Sequence, residues 1–189
     1  MVGCLFGERG VDEVFVDDDA PVPSEAEHMM SLPAVQVRFV ECRHHLHAHL
    51  ADVLDRTRQS VEACRVDATV HARIKSPSSV WRKMHRCALT FEQVYDLLGL
   101  RVLVGSVDDC YRVLDALLGA WPERLVVVKD YVRSPKDNGY QSIHLRVADR
   151  DEPPFEVQIR TWEMHEQSEQ GPAAHWRYKH GQSHVALGA

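Results

Sequence analysis

The chain lacks most of the marks that sort a protein at sight. No apolar run approaches the ~18 residues of a membrane-spanning helix, and the best stretch, from Leu97 to Val107, is broken by Arg101. The start has no basic segment ahead of an apolar one, so no secretory signal is expected. Val2 stands where myristoylation needs glycine. The five cysteines form an odd, widely spaced set without a CxxC pair, which excludes a disulfide framework and places the expected protein, with reduced thiols, in the cytoplasm. HExxH and GxxxxGK(S/T) are both missing, which removes the zinc-protease helix and the Walker loop. What is present is an ordinary soluble composition: 189 residues, 44% hydrophobic and 26% charged, enough for one domain with a core. The net charge of −6 by itself argues against a polyanion binder.

That charge is unevenly placed. Residues 1–27 hold eight acids against Arg9, a net of −7, and leave +1 for residues 28–189. With Pro21 and Pro23 and no sustained periodicity, residues 1–32 read as an acidic flexible leader, residues 33–182 as the folded domain and 183–189 as a short tail. Val37, Val40, Leu46, Leu50, Val53, Leu54 and Val61 predict a long helix from Pro33 to about Arg65. It contains HHLHAH, in which His45 and His49 have the spacing of a zinc-binding pair. No carboxylate or cysteine completes that set nearby, so a solvated helix face is the expectation. Further on, strands are expected at 69–75, 97–104, 125–132, 142–148 and 154–160. Helices are expected from Pro77 to about Arg86, near Phe91–Asp96, at Asp108–Ala120 and at Trp162–His180. Five strands with irregularly interleaved helices predict a mixed α+β domain rather than a doubly wound sheet.

Three clusters carry chemistry. Between Asp67 and Glu92 there is no acid, but there are Arg73, Lys75, Arg82, Lys83 and Arg86. Arg73 and Lys75 share a strand face. Ser76-Pro77 opens a helix whose free N–H groups face the same region, and Ser79 and Lys83 lie on one side of it. The set suits a triphosphate. Asp96 leads into an apolar strand, and Glu156 shares a face with Gln158 and Arg160 while Phe155, Val157 and Ile159 take the other. Two carboxylates beside a triphosphate cradle suit Mg²⁺. The segment 129–144, KDYVRSPKDNGYQSIH, is a loop between strands with turn chemistry at Pro135 and Asn138-Gly139. Lys129, Lys136, Tyr140, Gln141 and His144 offer cations, an amide and a stacking ring, as a purine nucleotide requires.

This loop resembles the acceptor-nucleotide loop of the RelA/SpoT alarmone synthetases. HARIKSPSSVWRKM (71–84) is similar to their ATP-binding segment, FEQVYDLLGLRV (91–102) to the segment with their metal-binding Asp, and EVQIRTWEMHEQSEQGPAAHWRYK (156–179) to their C-terminal signature. The resemblance covers about residues 69–179. It implies a nucleotidyltransferase-like mixed sheet flanked by helices. It also implies a GTP diphosphokinase activity: transfer of the β,γ-pyrophosphate of ATP to the ribose 3′-OH of GDP or GTP, making ppGpp or pppGpp and releasing AMP. Carried over by residue, Arg73, Lys75, Ser79 and Lys83 would hold ATP. Asp96 and Glu156 would be the catalytic acids and Mg²⁺ ligands, Glu156 as metal ligand or as base on the hydroxyl. Tyr140 would stack on the acceptor base, with Lys129, Lys136, Asn138, Gln141 and His144 around it. Arg101, Gln158 and Arg160 would support the site.

Several positions depart from the family pattern. Val127 stands where many long members carry Arg, leaving the choice between GDP and GTP open; Arg133, Ser78 and Pro172 also differ. There is no His-Asp dipeptide of the family's hydrolase half, and no C-terminal helices like those that assemble small synthetases into tetramers. The expectation is a synthetase core standing alone. A toxic relative acting on adenine nucleotides or a tRNA 3′ end, and a non-catalytic nucleotide-binding module, are the alternatives.

Overall fold

A computed structural model describes residues 30–122, 124–148 and 152–170. Almost all of the expected leader, the tail, Pro172 and the far half of the expected C-terminal helix lie outside these residues. The first described element, α1 (Leu32–Ala63), begins where expected: Ser31 is extended and accepts from the Ala34 N–H, and Pro33 sits in the first turn. One stripe of the helix is buried, through Val35, Leu46, Val53 and Val61. Two polar residues share that stripe. Thr57 returns its hydroxyl proton to the Val53 carbonyl at 2.7 Å, the usual way a buried helical threonine is satisfied. His49 packs edge-on against Phe155, so the HHLHAH segment is not the wholly solvated face its composition predicted.

The remaining elements are β1 (Ala68–Ile74), α2 (Pro77–Cys87), β2 (Leu98–Val104), α3 (Val107–Ala120), β3 (Leu125–Asp130), β4 (Ile143–Ala148), β5 (Phe155–Thr161) and α4 (Trp162–Gln170). The helix expected near Phe91–Asp96 does not form. Those residues make successive turns, with bonds from Val94 to Phe91 and from Leu97 to Val94, because so short a segment cannot offset the cost of helix nucleation. The turns sink Phe91, Val94 and Leu97 into the core.

The five strands form one mixed sheet in the order β1-β2-β5-β4-β3. Only β2 and β5 run parallel; the other neighbours are antiparallel. One face carries Leu98, Leu100, Val102, Ile143, Leu145, Phe155, Val157 and Ile159. It joins Val53 of α1 and Val113 and Leu117 of α3 in a single core, where each fully buried aliphatic side chain contributes about 1.5–3 kcal/mol. The opposite face is polar. A sheet with one apolar and one polar face needs a reason to keep the second open, and here it holds the site.

Candidate active site

Residues paired across a sheet point to the same side, so the register converts scattered positions into rows. One row reads Arg73, Gly99, Glu156, Arg146 and Val127; the next reads His71, Arg101, Gln158, His144 and Lys129. Five strands far apart in the chain thus deliver cations, an acid and an amide to one surface. A cavity over it is lined by His71, Arg73, Asp96, Gly99, Arg101, Glu156 and Gln158. Gly99 forms its floor: a side chain there would point at Arg73.

Asp96 ends the turns before β2. Lys75, just beyond β1, reaches its Oδ2 at 2.6 Å, and Lys83, on α2, reaches its Oδ1 at 2.8 Å. Burial alone would raise the carboxyl pKa, but Lys83 and Lys75 outweigh it and hold Asp96 below its ordinary value. Ser76 is the α2 N-cap by backbone, as expected, but its hydroxyl bonds Ser79 instead of a backbone N–H. Ser79 also accepts from Arg82 at 3.1 Å. The first turn of α2 therefore keeps its N–H groups without a side-chain cap.

Glu156 is buried, yet surrounded by donors. Arg146 Nε donates to its Oε2 at 3.0 Å, Gln158 Nε2 to its Oε1 at 3.0 Å, and His144 Nδ1 lies 3.4 Å from Oε2. Burial opposes ionisation here too, but His144, Gln158 and Arg146 together hold the carboxyl far below the usual range. His144 in turn meets the Tyr140 hydroxyl through Nε2 at 2.9 Å. A neutral imidazole with its proton on Nδ1 serves both contacts: the phenol donates to Nε2 and Nδ1–H faces the carboxylate. A line of phenol, imidazole and carboxylate thus runs from the loop to the sheet.

The loop is built by its own short-range bonds. Asp130 accepts the Val132 and Arg133 N–H groups at 2.9 Å each and the Tyr111 hydroxyl at 2.9 Å. Asn138 Oδ1 accepts the Tyr140 N–H, and Gln141 Nε2 donates to the Val132 carbonyl, so both amides shape the loop. Gly139 has φ 77°, a conformation that favours glycine. The Lys136 ammonium sits 4.4 Å from the Tyr131 ring centre and 5.3 Å from that of Tyr140.

Arg160 differs from the other expected residues. It is 2% exposed and lies under α4, donating to Ser168 and meeting His165 Nδ1 at 2.8 Å. Its role is to fasten α4 over the end of β5. Arg101 reaches Glu169 of the same helix at 3.4 Å. The sequence reading missed Arg146, Gly99, His71 and Tyr131. Arg146 was reachable, because it alternates with His144 along β4; Gly99 and His71 gain meaning only from strand pairing.

The region found in RelA/SpoT proteins matches residues 72–183. The GTP pyrophosphokinase of Streptomyces coelicolor is 44% identical over 131 residues, 69% of this chain and 16% of that protein. The chain therefore spans a small fraction of the curated relatives it matches. Among solved structures, a GTP pyrophosphokinase family protein from Streptococcus pneumoniae superposes with a TM-score of 0.64 at 24% identity, covering 75% of this chain and 78% of that one. The small alarmone synthetase 1 of Bacillus subtilis, bound to its product pppGpp, gives 0.59 at 22% identity, with 72% and 78% covered. At these identities the two structures establish the shared fold.

Proposed function

The chain belongs to the RelA/SpoT family, and from that premise we propose that it transfers the β,γ-pyrophosphate of ATP to the ribose 3′-OH of GDP or GTP. The observation that supports this most directly is one cavity lined by both Asp96 and Glu156 and edged by Arg73 and Arg101. In the reaction the 3′-oxygen forms a bond to the β-phosphorus, the bond between that phosphorus and the α,β-bridging oxygen breaks, and AMP leaves with the electron pair. The 3′-OH proton goes to solvent or to a base.

Arg73, Lys75, Ser79 and Lys83 bind the triphosphate in this reading. Lys75 and Lys83 both donate to Asp96, so their ammonium groups already face one anion. An arriving triphosphate competes for them and releases the Asp96 carboxylate. Asp96 and Glu156 offer hard oxygen donors of the kind Mg²⁺ prefers. Two carboxylates leave such an ion to complete its shell with phosphate oxygens and water. Mg²⁺, when bound, offsets charge developing on the phosphates.

Glu156 resists protonation while Arg146, Gln158 and His144 surround it, so its carboxylate serves as a fixed negative charge and metal ligand. Acting as base would require it to shed a donor. Tyr140 stacks on the acceptor base, and its link through His144 ties acceptor position to Glu156. Lys129 and Lys136 meet the acceptor phosphates. Val127 pairs with Arg146, so a guanidinium still stands on that row. The test is an acceptor panel: purified protein, ATP and Mg²⁺ with GDP, GTP, ADP or tRNA. AMP release together with a 3′-pyrophosphorylated guanine nucleotide is expected. Turnover only with ADP or tRNA would reassign the acceptor, and no AMP with any of them would leave a binding module.

A further inference from the structure

We propose that Gln158 orients the attacking hydroxyl of the acceptor, its side-chain carbonyl taking the hydrogen bond of the ribose 3′-OH. This role belongs to the pyrophosphate transfer proposed above and rests on that reading. In the order β1-β2-β5-β4-β3 the middle strand is β5. Arg73 and Lys75 lie to one side of it, on and just beyond β1, and the loop that carries Tyr140 joins β3 to β4 on the other. A donor held on the first side and an acceptor held on the second meet over β5. Alternation turns Glu156, Gln158 and Arg160 of that strand toward the polar face. Arg160 is buried under α4, so Glu156 and Gln158 are the two that line the cavity.

Their hydrogen bonds assign them different tasks. An ionised carboxylate only accepts, at about four lone-pair sites. Glu156 receives Gln158 Nε2 on Oε1 at 3.0 Å and Arg146 Nε on Oε2 at 3.0 Å, with His144 Nδ1 at 3.4 Å from Oε2. One site remains for the proposed metal ligation. The same contact fixes the Gln158 amide. Its NH₂ group must be the end that meets a carboxylate, which turns its carbonyl oxygen the other way. That oxygen receives no hydrogen bond from the described residues, and the half-buried side chain lines the cavity. Of the other polar groups there, Arg73 and Arg101 only donate, and both Asp96 oxygens already accept from lysines. His71 stands two strands away, on the edge of the sheet. The Gln158 carbonyl is the acceptor placed for a hydroxyl over β5.

An amide is too weak a base to remove the proton. Gln158 holds the O–H so that a lone pair of the same oxygen faces the β-phosphorus. As the new O–P bond forms, AMP leaves with the bridging electron pair and the proton passes to solvent or to a base. Fixing the direction of attack lowers the barrier by more than one hydrogen bond adds to affinity.

The experiment uses the full chain with Mg²⁺ and α,β-methylene-ATP, whose P–C bond does not break, and compares GDP with 3′-deoxy-GDP by calorimetry. One hydrogen bond predicts that the parent binds GDP about 2- to 10-fold more tightly. Gln158→Met removes both ends of the amide, whereas Gln158→Lys keeps a donor for Glu156 and lacks the carbonyl. Both variants are expected to bind the two acceptors alike and, with ATP itself, to lose about tenfold or more in kcat, with KM for ATP near the parent's in Gln158→Met. No preference for GDP in the parent, or a preference kept in Gln158→Lys, would overturn this role; the second result would make Gln158 only a support for Glu156. A parent that binds neither guanine nucleotide would overturn the synthetase reading as well. Circular dichroism checks that each variant is folded, and Gln158→Lys carries the test if Gln158→Met is not.

Discussion

Gly99 offers the sharpest separation of stability from activity. It is the middle of a row, paired with Arg73 on one side and Glu156 on the other, and it is the floor of the cavity. Its backbone is ordinary for a strand, with no positive φ, and a Cβ would come no closer than 3.7 Å to Arg73 Cγ and Nε. Gly99→Ala is therefore sterically accepted, and loss of chain freedom in the unfolded state should raise stability by about 0.4–1 kcal/mol. Gly99→Val adds two further methyl groups directed at the Arg73 stem. The arginine must then swing away from the acids, losing a charge-assisted contact to phosphate worth about 1.5–3 kcal/mol. That converts to about a 10- to 150-fold fall in kcat/KM for ATP. The assay pairs urea unfolding with AMP release under varied ATP. The expected pattern is Ala and Val variants at least as stable as the parent, with activity close to the parent's in Ala and reduced in Val. Full activity in Gly99→Val would refute the placement of the triphosphate over this floor.

Three further outcomes follow from the same geometry. Tyr140→Ala should raise KM for the guanine acceptor more than for ATP, whereas Tyr140→Phe, which keeps the ring and loses only the bond to His144, should stay close to the parent in acceptor KM; equal effects on both substrates would contradict stacking. Arg160→Met removes the donor to Ser168 and the contact to His165 and should cost about 1–3 kcal/mol in urea unfolding, with His165→Asn reproducing part of it. Asp96 and Glu156 both have folded pKa values below their unfolded ones. The unfolded chain thus binds more protons in acid, and the stability these groups contribute is full above about pH 5 and is lost as pH falls through the folded values. Glu156→Gln should flatten the decline below about pH 4 in a denaturation series, and an equally steep decline would assign the acid sensitivity elsewhere.

How far the sequence reached depended on the kind of information required. Period-two alternation in FEVQIRT and turn chemistry at Asn138-Gly139 are local, so strands, loop and the polar face of β5 were legible in the sequence. The six residues near Phe91 were misread as helix because their apolar spacing fits both a helix and a set of turns, and only burial against the core separates the two. Asn138 and Gln141 carried the right chemistry for a nucleotide loop, and their amides fold the loop itself. Arg160 read as lining the site; tertiary packing put α4 on top of it.

What the sequence determined alone was the inventory: a cation-rich segment without acids, two separated carboxylates, and a loop with a ring and amides. Spacing along the chain is enough for that, because propensity and alternation act over a few residues. Only the tertiary structure decided which of these meet. Strand order set Arg73, Gly99, Glu156 and Arg146 in one row and made Asp96 the shared partner of Lys75 and Lys83. Pairing register and long-range packing choose contacts between residues that local spacing leaves unconnected.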